Sequence, residues 1–149
     1  MYKYILVAVD ESDISKQALQ EAISMSKLTQ AKLRIAHAVQ PVSSGYLAAG
    51  IDYEQLELAF KEEAQKLLNQ MVDLAQQSGI ECDGQVLVMN AQERIPEKIL
   101  EAAKTWLADL IVMGTHGRQG LEHLMLGSVA EGVIRNATVP VLLIRGKEA

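Results

Sequence analysis

Short apolar runs alternate along the chain with longer amphipathic segments. There are five such runs, and most are rich in β-branched residues. Runs of this kind predict strands that are buried on both faces, as in a parallel sheet. The predicted strands span Tyr4 to Val9, Leu33 to Val39, Cys82 to Met89, Ala108 to Met113 and Val139 to Ile144.

Between these runs, apolar residues recur every three or four positions, which predicts helices. The predicted helices span Ser12 to Leu28, Tyr53 to Gln77, Pro96 to about Leu107 and Val129 to Asn136. Strands that alternate with helices over the whole length predict an α/β fold with a parallel sheet. Because parallel crossovers are right-handed, helices are expected on both faces.

The chain has 149 residues, of which 49% are hydrophobic and 22% charged. That length suits one domain with its own core, and no linker or repeat divides it, so residues 1–149 are predicted to form a single domain. The composition excludes collagen-like, coiled-coil and disordered classes. Cys82, the single cysteine, cannot form an internal disulfide, and it is expected to be an inert strand residue.

Charge and hydropathy narrow the function classes. The net charge is −5 and no Lys/Arg cluster stands out, so nucleic acid is not an expected partner. The apolar runs stop well short of the roughly 18 residues that a membrane span needs, and the start of the chain does not resemble a signal peptide. A cytoplasmic location without membrane insertion is therefore the expectation.

Two strand ends carry candidate chemistry. The first predicted strand leads directly into Asp10, and the fourth leads into Gly114, where a glycine-rich segment begins that runs to Gly127 and holds four of the ten glycines. Ser128 and Glu131 follow this segment in the Ser-x-x-Glu pattern of a capping box, which predicts Ser128 as a helix N-cap. A glycine-rich turn that leads into a helix N-terminus is typical of an anion site. The guanidinium of Arg118, within this segment, suits a phosphate.

The common phosphate motifs are absent from this sequence. No G-x-x-x-x-G-K-[ST] occurs, and the turn after the first strand, Asp10 to Asp13, has no glycine and so lacks G-x-G-x-x-G. What is present is Gly114-x2-Gly117-x9-Gly127-Ser128. His37 is expected to be a core histidine with a satisfied hydrogen bond, and Trp106 to pack a helix end.

Besides that spacing, the chain contains ILVAVDES from Ile5 and DLIVMGTHGRQGLEHLMLGSVAEGVIRNATVPVLLIR from Asp109. With these three features it resembles the universal stress protein family in its ATP-binding branch. The resemblance covers essentially the whole chain. It implies a three-layer fold of the adenine nucleotide alpha hydrolase-like type, with strand order 3-2-1-4-5. Strands 1 and 4 are then neighbours, and a ligand crevice is expected where the strand order reverses.

The resemblance also implies roles for individual residues. Asp10 would accept hydrogen bonds from ribose hydroxyls, and the backbone of Ala38 would contact the adenine edge. Backbone amides and the Ser128 hydroxyl would bind phosphates, with Mg²⁺ held mainly by the ATP phosphates. The implied nucleotide-binding residues, together with Arg118, are Ala8, Val9, Asp10, Ala38, Met113, Gly114, Gly117, Gly127, Ser128 and Val129.

The implied function is a small ATP-binding stress-response or regulatory protein, not an enzyme, with an unidentified protein partner. The fifth strand would lie at a sheet edge, and its apolar sequence from Val139 to Arg145 predicts a homodimer through that edge. Two alternatives stay open: the same fold acting through protein contacts with little nucleotide dependence, and a slow ATPase. A phospho-receiver domain is excluded because Asn90 stands where an acceptor aspartate is required.

Overall fold

Strands and helices alternate throughout the computed structural model of the chain, which describes residues 1–39, 49–116 and 126–146. The elements in chain order are β1 (Tyr4–Val9), α1 (Asp13–Thr29), β2 (Lys32–Val39), α2 (Tyr53–Gln77), β3 (Cys82–Val88), α3 (Ile95–Trp106), β4 (Leu110–Gly114), α4 (Ser128–Asn136) and β5 (Val141–Ile144).

The five strands form one parallel sheet in the order β3-β2-β1-β4-β5. This confirms the predicted fold class and strand order. Val9 pairs with His37 at the end of β1, and Gly114 pairs with Ile144 at the end of β4. The carboxyl ends of β1, β2 and β4 therefore meet at one edge of the sheet, where the strand order reverses.

Apolar side chains leave the sheet alternately toward two helical layers. On one face, Ile5 and Val7 pack with residues of α1 and α2 in a buried cluster. On the other face, Leu6 and Ile111 pack with residues of α3 and α4. Both faces of the central strands are buried, as continuous apolar runs predict.

The predicted boundaries were wrong by two residues at the starts of two strands. The fourth strand begins at Leu110 and not at Ala108, which follows the C-cap of α3 and donates its N–H to the Ala103 carbonyl (2.9 Å). Its neighbour Asp109 uses its carboxylate to accept from the N–H groups of Lys3 and Tyr4. The fifth strand begins at Val141 and not at Val139.

Candidate functional site

A cavity of about 1010 Å³ opens at the carboxyl ends of β1, β2 and β4. Pockets for small molecules typically measure about 300–1,000 Å³, so this one has room for a nucleotide. Strand ends, both helical layers and the start of α4 contribute to its walls. The lining residues are Ala8, Val9, Asp10, Glu11, Ser15, Ala36, His37, Ala38, Val39, Phe60, Glu63, Ala64, Ile95, Ile99, Met113, Gly114, Thr115, His116, Gly127, Ser128, Val129 and Ala130.

The fold brings nine residues of the predicted site together around this cavity. They come from the ends of three strands and from the start of α4: Ala8, Val9, Asp10, Ala38, Met113, Gly114, Gly127, Ser128 and Val129. The other two predicted residues, Gly117 and Arg118, lie outside the described residues. Contact between these residues and a nucleotide stays a prediction.

Asp10 is held in place by the turn between β1 and α1. Its Oδ1 accepts from the Ser12 N–H (2.7 Å) and from the Ser15 hydroxyl (2.9 Å). The Ser15 hydroxyl oxygen in turn accepts from the Asp10 N–H (2.8 Å). Ser12 is the N-cap of α1, and Ser15 lies within α1 and bonds to Asp10. Among the described residues nothing donates to Asp10 Oδ2, so this oxygen is available to a ligand.

The start of α4 presents backbone donors to the cavity. The Gly127 carbonyl accepts from the Glu131 N–H (2.9 Å), which is the first hydrogen bond of the helix. The first turn of a helix has no intrahelical acceptor for its own N–H groups, and these belong here to Ser128, Val129 and Ala130. All three residues line the cavity. The positive end of the helix dipole adds to their attraction for an anion.

Two expectations for this segment were wrong. Gly127, not Ser128, is the N-cap of α4, and no side chain caps the helix. The Glu131 carboxylate accepts from Arg135 (2.7 Å) and does not complete a capping box. The Gly127 N–H donates to the Thr115 carbonyl (2.7 Å), so this amide is not available to a phosphate. The free donors therefore begin one residue later than the resemblance implied.

Gly114 is explained by packing. A Cβ at this position would collide with Cγ2 of Ile14, a residue of α1, and would lie 3.2 Å from the His116 carbonyl oxygen. The absence of a side chain thus lets α1 lie close against the end of β4. The glycine at this strand end is required by the scaffold, whether or not a ligand approaches it.

Two histidines line the cavity. His37 is 8% exposed, and its Nδ1 lies 3.0 Å from the Val9 carbonyl oxygen. This confirms the satisfied core histidine predicted from the sequence. The Nδ1 of His116 lies 3.0 Å from the Thr115 hydroxyl, and its Nε2 is buried with no hydrogen-bond partner among the described residues.

Helices also contribute residues to the cavity that were not predicted from the sequence, among them Phe60 and Glu63 of α2 and Ile95 and Ile99 of α3. A signal for α2 was present in its length. A helix of 25 residues spans about 37 Å, whereas the eight residues of β2 span about 26 Å. The helix must therefore extend beyond the strand that it covers.

Trp106 lies away from the cavity. Its ring makes an edge-to-face contact with Tyr4 at the start of β1 (centroids 5.3 Å apart), and the Arg34 guanidinium lies 4.8 Å from its centroid. The prediction that Trp106 packs a helix end is confirmed.

Within residues 1–39, 49–116 and 126–146 we find no cluster of three or more His, Cys, Asp or Glu that could hold a metal ion. Among the same residues, no helix has the length and apolarity to span a membrane.

Comparison with known proteins gives one consistent family. The sequence model of the universal stress protein family matches residues 1–145. A universal stress protein from Methanocaldococcus jannaschii is 37% identical over 146 residues, which cover 97% of this chain and 83% of that protein.

Two solved structures with a similar fold contain nucleotides. The universal stress protein from Archaeoglobus fulgidus in complex with dAMP has a TM-score of 0.68 at 26% identity, covering 96% of this chain and 98% of that one. A universal stress protein in complex with cAMP has a TM-score of 0.65 at 26% identity, covering 97% of both chains.

Proposed function

The chain belongs to the universal stress protein family, and we propose that it is a regulatory protein that binds ATP at the ends of β1 and β4. The observation that carries this proposal is the pairing of an acceptor and donors across one cavity. Asp10 Oδ2 has no donor among the described residues, and the first amides of α4 have no helical acceptor. The adenine nucleotides in the two related structures support the same ligand class.

The cavity provides hydrogen-bonding groups for each part of the nucleotide. The Asp10 carboxylate accepts from ribose hydroxyls, and the Ala38 backbone contacts the adenine edge. The amides of Ser128, Val129 and Ala130, with the Ser128 hydroxyl, donate to phosphate oxygens. Magnesium in such sites is held largely by substrate phosphates and water.

We propose that ATP is held and hydrolysed slowly at most. Phosphoryl transfer requires a positioned nucleophile, and in many enzymes an arginine or lysine stabilises the developing charge. The described lining residues include no Lys or Arg, so Arg118, which lies outside them, is the candidate for that role. With a single such group and no assigned nucleophile, we expect a turnover rate well below the roughly 1–100 s⁻¹ of kinases. Function would then come from the ATP-bound conformation, read by a protein partner in the cytoplasm, where ATP is abundant.

We also propose a homodimer through β5. This strand pairs with β4 alone among the described residues, and all four of its residues are half-buried. The N–H and C=O groups on its outer side would pair with the same strand of a second copy about a two-fold axis.

Isothermal titration calorimetry with MgATP tests the nucleotide proposal. The wild type should bind one ATP per chain, and Asp10→Asn should weaken binding at least about 10-fold, because a hydrogen bond to a charged group is lost. Asp13→Asn is the matched control. The Asp13 side chain is 93% exposed and pairs only with Lys16 among the described residues, so this variant should bind MgATP with the wild-type affinity. No heat and no thermal shift at millimolar ATP would refute the proposal.

A further inference from the structure

Side chains from two neighbouring elements bind the peptide group between Val9 and Asp10. Val9 is the last residue of β1 and pairs with His37 of β2. The Val9 carbonyl oxygen lies 3.0 Å from His37 Nδ1, and the Asp10 N–H donates to the hydroxyl oxygen of Ser15 in α1 (2.8 Å). The backbone that leads into Asp10 is therefore held from β2 on one side and from α1 on the other.

The same Ser15 hydroxyl also binds the side chain of Asp10. It donates to Asp10 Oδ1 (2.9 Å), and the Ser12 N–H is a second donor to this oxygen (2.7 Å). Two donors on one oxygen restrict rotation about the side-chain bonds of Asp10. Because a carboxylate is planar, they also fix the direction of Oδ2, which has no donor among the described residues.

The Ser15 hydroxyl is not needed to cap α1. Ser12 is the N-cap of this helix and accepts from the Ser15 N–H (3.2 Å). Ser15 is only 5% exposed, and it lines the cavity. Burying a hydroxyl costs free energy unless it forms hydrogen bonds, and among the described residues both bonds of this hydroxyl go to Asp10. Its contacts thus serve the orientation of one residue at the cavity.

A fixed carboxylate binds a ligand better than a mobile one. In the proposed site the ribose hydroxyls donate to Asp10, and a carboxylate free to rotate would lose that freedom on binding, which lowers affinity. The amides proposed for the phosphates belong to a different element, α4. A change at Ser15 should therefore affect the contact with the sugar and not the contact with the phosphates.

We infer that Ser15 is a positioning residue, which orients the Asp10 carboxylate toward the hydroxyls of a ribose and so favours ribonucleotides over nucleotides that lack these hydroxyls. This inference rests on the proposed nucleotide function. Without the Ser15 hydroxyl, Oδ1 keeps only the Ser12 N–H as a donor, and the carboxylate gains other orientations. The Asp10 N–H loses its acceptor at the same time.

Calorimetry with MgATP and with the magnesium complex of 2′,3′-dideoxy-ATP, which lacks both ribose hydroxyls, tests this assignment. The wild type should prefer ATP at least about 10-fold, because Asp10 accepts as a charged group. Ser15→Ala should lower the ATP affinity about 2- to 10-fold, the effect of leaving one side chain to be immobilised on binding. Its affinity for the dideoxynucleotide should not change, so the ratio of the two affinities falls.

Ser26→Ala is the matched control in the same helix. Ser26 is 1% exposed, its hydroxyl has no partner among the described residues, and it does not line the cavity. This variant should keep the wild-type ratio. A purely structural role of Ser15 would weaken the binding of both nucleotides alike, which leaves the ratio unchanged.

The outcomes separate this inference from the function on which it rests. If the wild type binds neither nucleotide, the proposed function fails. If the wild type binds both equally, or if Ser15→Ala keeps the wild-type ratio, Ser15 is not a positioning residue while nucleotide binding stands. If thermal unfolding shows that Ser15→Ala does not fold, Ser15→Cys replaces it, because a thiol is a weaker donor and acceptor. The same fall in the ratio is expected, and an unchanged ratio would overturn the inference.

Discussion

Gly132 of α4 lies directly against Pro96 of α3. A Cβ at Gly132 would lie 2.7 Å from both Cβ and Cγ of Pro96, closer than non-bonded carbons approach. The Gly132 backbone therefore lies directly against the Pro96 ring. This contact holds α4, and with it the amides of Ser128, Val129 and Ala130, close against α3.

Gly132→Ala should lower the stability of the protein. In an exposed helix interior this change stabilises by about 1 kcal/mol, but the added Cβ here forces α3 and α4 apart, and overpacking costs about 1–3 kcal/mol. Urea unfolding should show a lower midpoint. In a Pro96→Gly background, which removes the opposing atoms, the same change should cost much less. A stabilised Gly132→Ala protein would contradict this packing.

Ser128→Ala should weaken ATP binding without affecting stability. The hydroxyl does not cap α4, because Gly127 is the N-cap and no side-chain cap is present, so the midpoint of thermal unfolding should not move. Loss of one hydrogen bond to a charged phosphate should reduce the affinity about 10-fold.

Ser12→Ala is the contrasting variant. Ser12 caps α1 and accepts from the Ser15 N–H (3.2 Å), so this variant should lose about 1 kcal/mol of stability. Equal losses of stability in the two serine variants would contradict the assignment of the caps.

Cys82 should be unreactive in the folded protein. Burial in the core is the main cause that raises the pKa of its thiol to about 12, and the neighbouring Asp83 carboxylate adds to it. With this raised pKa the Cys82 thiol stays in its unreactive protonated form at pH 8, where only about one molecule in ten thousand carries the thiolate. Modification by a disulfide reagent should take place on unfolding only. Complete reaction of the folded protein within seconds would contradict this.

The proposed dimer gives a prediction for the outer side of β5. Val141 pairs with Ile111, whose N–H donates to the Pro140 carbonyl (3.0 Å). In a parallel ladder of this register the N–H of Val141 points away from β4. Val141→Pro removes that N–H and spares the pairing with β4.

Light scattering measures the consequence. The wild type should have twice the 16.3 kDa mass of one chain, and Val141→Pro should shift the mass toward one chain. Val141→Ala shortens the same side chain but keeps the N–H, so it should stay dimeric. A wild-type protein that is monomeric at micromolar concentration refutes the dimer.

The sequence predicted the elements better than it predicted their ends. Tyr53–Gln77 begins and ends as predicted, because its apolar stripe is long and Ser78 with Gly79 ends it. Ala108 was assigned to a strand because its apolar neighbours continue the run. Its hydrogen bond to Ala103 depends on a left-handed Leu107 (φ 64°), a conformation that leucine does not signal.

The site was predictable where one segment carries it, and less so where distant segments meet. Asp10 and Ser128 are recognisable from the strand end and the glycine spacing around them. The Ser-x-x-Glu pattern favoured Ser128 as the N-cap, but α4 begins one residue earlier and its N-cap is Gly127. Glu63 reaches the cavity only because α2 extends past β2, which depends on how the layers pack.

The central claim is that ATP lies in this cavity with its phosphates at the start of α4 and its ribose at Asp10. Amide NMR of the ¹⁵N-labelled protein titrated with MgATP tests it most directly. The largest shift changes should fall on Asp10, Ser128, Val129 and Ala130, while the amide of Leu28, at the other end of α1, stays unchanged. Saturable changes confined to residues outside the cavity, or none at millimolar MgATP, would contradict the claim.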